Sequence, residues 1–355
     1  MRSRNLVFLG IFTLACGSST DQGDAGNNPD GGTSSDGSPQ NDGAAGNDSG
    51  TKNDGSTGND SGTTTGKVVF VIPMENKAQT QIYGNATDAP YINNTLMVAY
   101  PHTTMFTDEL PTLDSEPHYI WMEAGTNALG DHTFGNDSDP SSSNSTNNTA
   151  HLSTTLDAAK VSWMSYQEDI TAGTCPVASI VNTKSFYAAK HNPFVFFQDV
   201  VGKTPDPKNA YCIAHHKPGS QLAADIKNNA VAQFNFVTPN LCNDMHGDGN
   251  CSHADNDAAN IKAGDDWLKA NLQPMIDYAI AHDGYVFLTW DEGDSTNLIP
   301  FIAIGKHAIP KKPGAVKYTH SSLNKSIAEV FGVTPLSTVA SATDFADLFD
   351  PGTFP

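Results

Sequence analysis

Four short apolar segments, separated by helical patterns, constrain the fold of this chain more than any other feature. They span residues 68–72, 234–237, 285–290 and 301–304 and are rich in Val, Ile, Phe and Trp. Segments of this length and composition are typical of strands that are buried on both faces of a sheet. Amphipathic patterns at 258–282, and shorter ones at 153–159 and 321–331, predict helices between or after them. The alternation predicts an α/β fold with a mostly parallel central sheet and helices on both faces.

Acidic and amide side chains directly follow three of these segments. Glu75 and Asn76 come after the first, and Asp291 and Glu292 come after the third. The second segment is followed by TPNLCNDMHGD, which contains His246. Because the carboxyl ends of parallel strands meet at one edge of a sheet, where α/β proteins bind ligands, we expect these groups to converge. Carboxylate and amide oxygens gathered in this way predict a cation site.

The first sixteen residues have the composition of an export signal. Two arginines precede an apolar run that is too short to span a bilayer, and Cys16 follows Leu14 and Ala15. This is the layout of a signal peptide. The ending resembles the lipobox of bacterial lipoproteins, in which the cysteine becomes the lipidated first residue, although Thr13 stands where a leucine is usual. We therefore expect an exported protein that a lipid on Cys16 holds at the cell envelope, with ordinary secretion as the alternative.

Residues 17–66 consist almost entirely of Gly, Ser, Thr, Asn and Asp, with eight Asp and one Lys. They lack aromatic and large aliphatic side chains, so a disordered linker is predicted. No second linker interrupts residues 67–355, which predicts one domain. The whole chain carries a formal net charge of −20. A surface this acidic repels nucleic acids and anionic lipids, so we expect no nucleic-acid partner and no membrane contact except through the lipid anchor.

Four cysteines remain in the predicted domain: Cys175, Cys212, Cys242 and Cys251. An exported chain with an even number of cysteines normally pairs them. Sequence proximity favours Cys175–Cys212 and Cys242–Cys251, although four cysteines allow three pairings. A metal site is the alternative, but no CxxC spacing supports it.

An ordered series of motifs runs through the predicted domain. It includes MENKAQTQIYGN, DSEPHYIWMEAGT, KHNPFVFFQDV, TPNLCNDMHG and LTWDEGD. The series resembles the phosphoesterase family of bacterial and fungal acid phosphatases and phospholipases C, within the alkaline phosphatase superfamily. This resemblance covers roughly residues 67–350. It implies an alkaline-phosphatase-like fold for the catalytic domain.

The resemblance also implies a nucleophile and one divalent metal ion. Ser115, two residues before a proline, matches the nucleophile position. The implied metal ligands are Glu75, Asn76, Ser115, Asp291 and Glu292. Three carboxylates, an amide and a hydroxyl suit Mg²⁺, Ca²⁺, Mn²⁺ or Zn²⁺ and do not select among them.

Several histidines match positions that face the substrate in this family. His191 and His246 are expected to face the phosphoryl group together with the Asn76 amide, and His246 is also expected to protonate the leaving group. His320 matches a later histidine that we assign to substrate binding. His118 stands where members commonly have Asn, which leaves this edge of the pocket open to a different substrate contact.

These assignments predict a metal-dependent hydrolase of phosphoric esters. The first expectation is a phosphomonoesterase of acid-phosphatase type that works through a phosphoserine and acts on a small-molecule or lipid phosphate ester. Phospholipase C, which hydrolyses a lipid diester, is the alternative with the same nucleophile and metal. A non-catalytic binding lipoprotein displayed at the surface is the alternative of another class.

Overall fold

The computed structural model describes residues 66–293 and 297–355. The predicted signal peptide with Cys16, and the predicted linker apart from Gly66, lie outside these residues. None of the helices in the described residues has both the length and the apolarity needed to cross a membrane.

The strands in the described residues form one large sheet and one small hairpin. They are β1 (Val69–Met74), β2 (His102–Thr103), β3 (Trp163–Gln167), β4 (Ile180–Val181), β5 (Phe186–Tyr187), β6 (His216–Pro218), β7 (Phe234–Thr238), β8 (Tyr285–Trp290), β9 (Phe301–Gly305) and β10 (Pro313–Gly314). The sheet has the order β10-β2-β9-β8-β1-β7-β3-β6, and β4 pairs with β5. From β8 to β6 all neighbours are parallel, whereas β9 runs antiparallel to β8 and β2. The predicted mostly parallel sheet is confirmed.

The α-helices of the described residues precede, connect and follow these strands. They are α1 (Gln79–Ile82), α2 (Met97–Ala99), α3 (Ser115–Ala124), α4 (Leu152–Ala158), α5 (Gln198–Val201), α6 (Ala210–Ala214), α7 (Leu222–Lys227), α8 (Asp257–Ala281) and α9 (His320–Val330). The three helices predicted from amphipathic patterns are α4, α8 and α9, each beginning and ending one residue earlier than expected.

The central strands are buried along their whole length. Every residue of β1, β7, β8 and β9 is buried. Because successive side chains of a strand point to opposite faces, both faces of the sheet must be covered there. Helix α8 contacts β1, β8 and β9, and α4 contacts β3. Burial on both faces explains why these strands read as continuous apolar segments in the sequence.

Helix α3 places the predicted nucleophile at its first residue. Asp114 precedes it in an extended conformation, and the backbone turns into the helix at Ser115. Pro117 lies in the first turn, where its missing N–H costs no helical hydrogen bond. Gly125 ends the helix with a φ of 64°. Ser115 therefore sits at the amino end of a buried, well-defined helix.

Both disulfides favoured by sequence proximity are present. Cys175 is bonded to Cys212 and Cys242 to Cys251. The second disulfide closes the loop after β7 that contains His246. Two disulfides are typical of an exported protein.

Candidate active site

The three predicted strand ends meet at one edge of the sheet. Strand β1 lies between β7 and β8, and Met74 is in register with Trp290. The backbone N–H of Glu75 donates to the Asp244 carbonyl at 2.7 Å, and that of Asp291 donates to the Met74 carbonyl at 3.0 Å. The residues that follow β1, β7 and β8 are thus brought together by the parallel register.

Ser115 lies among the carboxylates of this edge. Its Oγ is 3.1 Å from Glu75 Oε2 and 3.3 Å from Glu292 Oε1. The hydroxyl has one proton, so it donates to one of these carboxylates at a time. Ser115 is 1% exposed. Its oxygen is held against two possible proton acceptors.

The Asn76 amide lies among the same groups. Its backbone has a φ of 48°, and its N–H donates to Asp291 Oδ1 at 3.0 Å. The end of its side chain is 2.9 Å from Glu75 Oε2, 3.2 Å from both Asp291 carboxylate oxygens and 3.2 Å from Glu292 Oε1. With its nitrogen turned inward, the amide donates to these carboxylates. With its oxygen turned inward, oxygens from four residues converge on one point, which is the arrangement that a cation requires.

Burial makes this group of carboxylates electrostatically unfavourable without a counter-charge. Burial raises the pKa of Glu75 well above its ordinary value, and the charge of Asp244 raises it further. Burial and then the charge of Glu75 do the same for Asp291. Burial and then Asp291 raise the pKa of Glu292 to about 8. The site therefore favours either bound protons or a bound cation.

His191 lies between two carboxylates. Its Nε2 is 3.3 Å from Glu75 Oε1 and its Nδ1 is 3.4 Å from Asp244 Oδ2, which are ion-pair distances without the geometry of a hydrogen bond. Tyr119 stacks on the ring with centroids 5.1 Å apart and donates from its hydroxyl to Glu75 Oε1 at 2.5 Å. Burial, and next the charge of Lys190, lower the pKa of His191 well below its ordinary value. The ring is 2% exposed and is enclosed by these two carboxylates and by Tyr119.

His246 lies on the loop after β7 with its ring partly exposed. Its Nδ1 is 2.7 Å from the Gly247 carbonyl, and its backbone N–H donates to Asp244 Oδ1 at 2.8 Å. A carbonyl only accepts hydrogen bonds, so Nδ1 carries a proton and the neutral ring has its lone pair on Nε2. Burial lowers the pKa of His246. Its ring centroid is 5.9 Å from that of His191.

His118 is a buried ring next to the carboxylates of Asp291 and Glu292. Its Nε2 is 2.8 Å from Asp108 Oδ1, and its Nδ1 is 2.8 Å from the Asp114 carbonyl. A ring nitrogen and carboxylate oxygens of Asp291 and Glu292 lie within 4.8 Å of one another. Burial lowers the pKa of His118, but the hydrogen bond and charge of Asp108 outweigh burial and raise it to about 9. The ring is therefore a cation near neutral pH.

His320 makes its contacts with the protein framework. Its Nε2 is 2.9 Å from the Trp290 carbonyl, and its backbone N–H donates to Glu109 Oε2 at 3.0 Å. Its ring lies against Phe106 with centroids 5.5 Å apart, and it is fully buried. The substrate-binding role assigned to His320 stays a prediction.

Sequence reasoning missed several residues that support these groups. Tyr119 is four residues after Ser115, so helical spacing alone places both on one face of α3. Asp244 is in the TPNLCNDMHG segment and was not assigned a role. Lys190 directly precedes His191. Asp108 contacts His118 across ten residues of loop and helix, and no local pattern signals that contact.

Comparison with known proteins identifies the family. The sequence model of the family described as Phosphoesterase family matches residues 105–334 of this chain, which is more than half of its length. The chain belongs to the Phosphoesterase family. Hydrolysis of phosphoric esters is accordingly its reaction class.

Curated relatives of this phosphoesterase come from bacteria and fungi. The phosphatidylinositol-3-phosphatase of Mycobacterium tuberculosis is 28% identical over 293 residues, covering 79% of this chain and 82% of the relative. The phosphate-repressible acid phosphatase of Penicillium chrysogenum is 29% identical over 62% of this chain and 50% of the relative. The phosphoesterase thus spans about half the length of this fungal relative.

Solved structures support the fold of this phosphoesterase. Murine ectonucleotide pyrophosphatase/phosphodiesterase 5, in complex with AMP, has a TM-score of 0.52 at 10% identity over 80% of this chain and all of that chain. A variant of the alkaline phosphatase PafA has a TM-score of 0.50 at 8% identity over 81% of this chain and all of that chain. At these identities the likeness concerns the fold, and it confirms the expected alkaline-phosphatase-like architecture.

Proposed function

We propose that this phosphoesterase is a metal-dependent phosphomonoesterase of acid-phosphatase type that works through a phosphoserine at Ser115. The observation that carries the proposal is the convergence of the Ser115 hydroxyl, the Asn76 amide and three carboxylates at the amino end of α3. Such a buried cluster destabilises a fold unless a counter-charge fills it, and perturbed groups of this kind concentrate at functional sites.

The residues fit one divalent cation. Neighbouring oxygen positions in the cluster are 2.9–3.3 Å apart. Three carboxylates, an amide and a hydroxyl would suit a divalent cation that takes oxygen ligands, and they do not select among Mg²⁺, Ca²⁺, Mn²⁺ and Zn²⁺. The proposed ligands are Glu75, Asn76, Ser115, Asp291 and Glu292. When bound, the cation supplies Lewis-acid chemistry that polarises a phosphoryl oxygen and favours the serine alkoxide.

The side chains of this chain account for the proton transfers. Ser115 Oγ, as the alkoxide, forms a bond to phosphorus, and the bond from phosphorus to the alcohol oxygen breaks. The departing oxygen takes a proton from protonated His246. Water then attacks the phosphoserine and gives a proton to His246, the bond from phosphorus to Ser115 Oγ breaks, and phosphate is released. The amino end of α3 favours the negative charge that gathers at Ser115.

His191 has a positioning role in this proposal. Its Nε2 is close to Glu75 Oε1, and Tyr119 donates to the same oxygen. Two contacts on one carboxylate oxygen leave Oε2 oriented toward Ser115 and Asn76. We therefore place the effect of His191 on the phosphoryl group through Glu75, whereas His246, with its free Nε2, contacts substrate directly.

The mycobacterial relative supports a lipid phosphomonoester as a second candidate substrate, because that protein is a phosphatidylinositol-3-phosphatase. A soluble monoester and a phosphoinositide present the same terminal phosphate to Ser115. Phospholipase C activity, by contrast, requires the site to accept a phosphodiester with one fewer negative charge.

The test is hydrolysis by the full chain with three substrates: p-nitrophenyl phosphate, p-nitrophenyl phosphorylcholine and phosphatidylinositol 3-phosphate in detergent. We expect chelator-sensitive release of phosphate from a monoester, loss of turnover in Ser115→Ala, and a phosphorylated Ser115 peptide after acid quenching. Preference for the choline ester would replace the proposal with phospholipase C. Turnover of no substrate with any added divalent cation would favour the non-catalytic binding protein.

We also propose that the protein is an exported lipoprotein anchored through Cys16. Support comes from the signal-like residues 1–16 and from the two disulfides. Mass spectrometry of the amino-terminal peptide from membranes should find a lipid-modified Cys16, and Cys16→Ser should release the protein to the soluble fraction. An unmodified mature amino terminus elsewhere would contradict the anchor.

A further inference from the structure

A partly buried lysine lies beside the candidate active site and has no role in the mechanism above. Lys190 directly precedes His191, and its Nζ donates to Asp137 Oδ2 at 2.5 Å. The two side chains are 19% and 29% exposed. This pair is therefore at the edge of the site, reachable from solvent but mostly shielded from it.

The charge of Lys190 acts on groups from two different strand ends. It lowers the pKa of Glu75 after β1 and of Asp244 after β7, although burial is the largest influence on both and raises their pKa. It also lowers the pKa of His191 and His246, again after burial. Because Lys190 directly precedes His191, whose Nε2 is 3.3 Å from Glu75 and whose Nδ1 is 3.4 Å from Asp244, its backbone is next to this group of side chains.

Asp137 holds the ammonium group of Lys190 in a fixed position relative to α3. Its Oδ1 accepts a hydrogen bond from the backbone N–H of Glu116 at 2.9 Å, while Oδ2 accepts from Lys190. Glu116 directly follows Ser115. One carboxylate thus ties the lysine to the first turn of α3, where a phosphoryl group on Ser115 would be.

The charge balance of the site favours a positively charged side chain in addition to the divalent ion. With a divalent ion bound, the carboxylates of Glu75, Asp291 and Glu292 still leave one negative charge, and a phosphomonoester brings two more. His118 is also near these carboxylates, but it is fully buried and its two ring nitrogens face Asp108 and the Asp114 carbonyl, so it has no donor left for a substrate. The bond to Asp137 takes one of the three N–H donors of Lys190, which leaves two for oxygens of a substrate.

We propose that Lys190 binds a non-bridging oxygen of the phosphoryl group, positioned by Asp137, and thereby favours monoesters over diesters. This inference rests on the proposed function at Ser115. A monoester dianion gains more from a fixed ammonium than a diester monoanion does, because Coulomb attraction scales with the charge of the ligand. Lys190 is then a determinant of substrate class as well as a binding residue.

The experiment compares Lys190→Met, Lys190→Arg and Asp137→Asn in the full chain. The control is Lys262→Met, which removes an exposed lysine that is 53% exposed on α8. The kcat/KM values are measured for p-nitrophenyl phosphate and for bis(p-nitrophenyl) phosphate. Binding of inorganic phosphate to the Mg²⁺-loaded proteins is measured by calorimetry, and thermal melts identify variants that fail to fold.

Lys190→Met should weaken phosphate binding by about 10–100-fold, the usual effect of losing a charge-assisted hydrogen bond. Its kcat/KM should fall more for the monoester than for the diester. Lys190→Arg should recover most of the phosphate affinity. The phosphate affinity of Asp137→Asn should lie between those of Lys190→Met and the wild type, and that of Lys262→Met should equal the wild type.

Wild-type phosphate affinity in a folded Lys190→Met variant, or equal losses for the two esters, would overturn the proposal while leaving the phosphatase function intact. Wild-type protein that turns over neither ester would instead refute the proposed function, and phosphate binding would still test Lys190. Absence of phosphate binding in the wild type would refute both.

Discussion

Replacing His118 with Asn in the metal-free protein is expected to remove a stabilising contribution that depends on pH. His118 is fully buried and its pKa is raised from 6.5 to about 9, since the hydrogen bond and charge of Asp108 outweigh the lowering by burial. Because the pKa is higher in the folded state, the contribution is fully present below pH 6.5 and is lost as the pH rises through about 9. At ~1.4 kcal/mol per pH unit, the difference corresponds to about 3 kcal/mol.

The assay is urea unfolding with chelator present, followed by tryptophan fluorescence from pH 6 to 10. The unfolding free energy of the wild type minus that of His118→Asn should shrink by about 3 kcal/mol between pH 6.5 and 9.5. His151→Asn is the matched control. His151 is fully buried between Glu123 and Asp199, and their hydrogen bonds and charges outweigh burial and also raise its pKa to about 9. It should show the same pH dependence.

The affinity for Mg²⁺ is expected to differ between the His118→Asn and His151→Asn variants. His118 lies within 4.8 Å of oxygens of Asp291 and Glu292, so its positive charge opposes a cation bound there. His118→Asn should therefore bind Mg²⁺ at least about tenfold more tightly than the wild type, whereas His151→Asn should bind it equally. A stability difference that stays constant with pH, or equal metal affinities of the two variants, would refute the reasoning.

Three further substitutions, two of them paired with a control substitution, test the geometry of the site. Tyr119→Phe removes a 2.5 Å hydrogen bond to Glu75, a proposed metal ligand, and should weaken Mg²⁺ binding ~10–100-fold in calorimetry. Tyr318→Phe should not, because that hydroxyl has no hydrogen-bond partner among the described residues. His246→Asn should lower kcat ~100-fold or more for alkyl phosphates and less for p-nitrophenyl phosphate, whose leaving group needs little protonation. Since burial lowers the pKa of His246, wild-type turnover of alkyl phosphates should decline as the pH rises toward neutrality. Gly247→Ala places a Cβ 2.1 Å from a neighbouring amide at a φ of 86° and should lower the unfolding free energy by ~1–3 kcal/mol in urea, whereas Gly249→Ala, in open space, should not.

The central part of the fold could be predicted from the sequence because strands that are buried on both faces consist of continuous apolar segments. Strand β8 has the predicted boundaries, and β1 begins one residue later than expected and continues through Pro73 and Met74. The two-residue strands β2 and β10 are too short to form an apolar segment that the sequence could show. Strand β6 (HKP) has no apolar pattern either, since pairing with β3 defines it and not its side chains.

The candidate site was predictable where it follows from strand ends and motifs, and not where it depends on contacts between distant loops. Glu75, Asp291 and Ser115 meet because parallel register and the start of α3 bring them together. Asp137 reaches Lys190 across 53 residues, and such a contact requires the tertiary structure. The orientation of His191 toward carboxylates, and not toward open solvent, is likewise a result of packing against Tyr119.

The buried charges at the candidate site favour a catalytic protein over a non-catalytic binding protein displayed at the cell surface. A binding protein could keep this fold with neutral residues in place of Glu75, Asp291 and Glu292, and it would avoid the cost of burying them. Here that cost is retained, and the hydroxyl of Ser115 is placed within hydrogen-bonding distance of two of the three carboxylates. Tyr119 and His191 then occupy the remaining oxygen of Glu75. A cluster that is unfavourable by itself, held in a fixed geometry around one hydroxyl, is what the proposed cation and the proposed nucleophile Ser115 would account for.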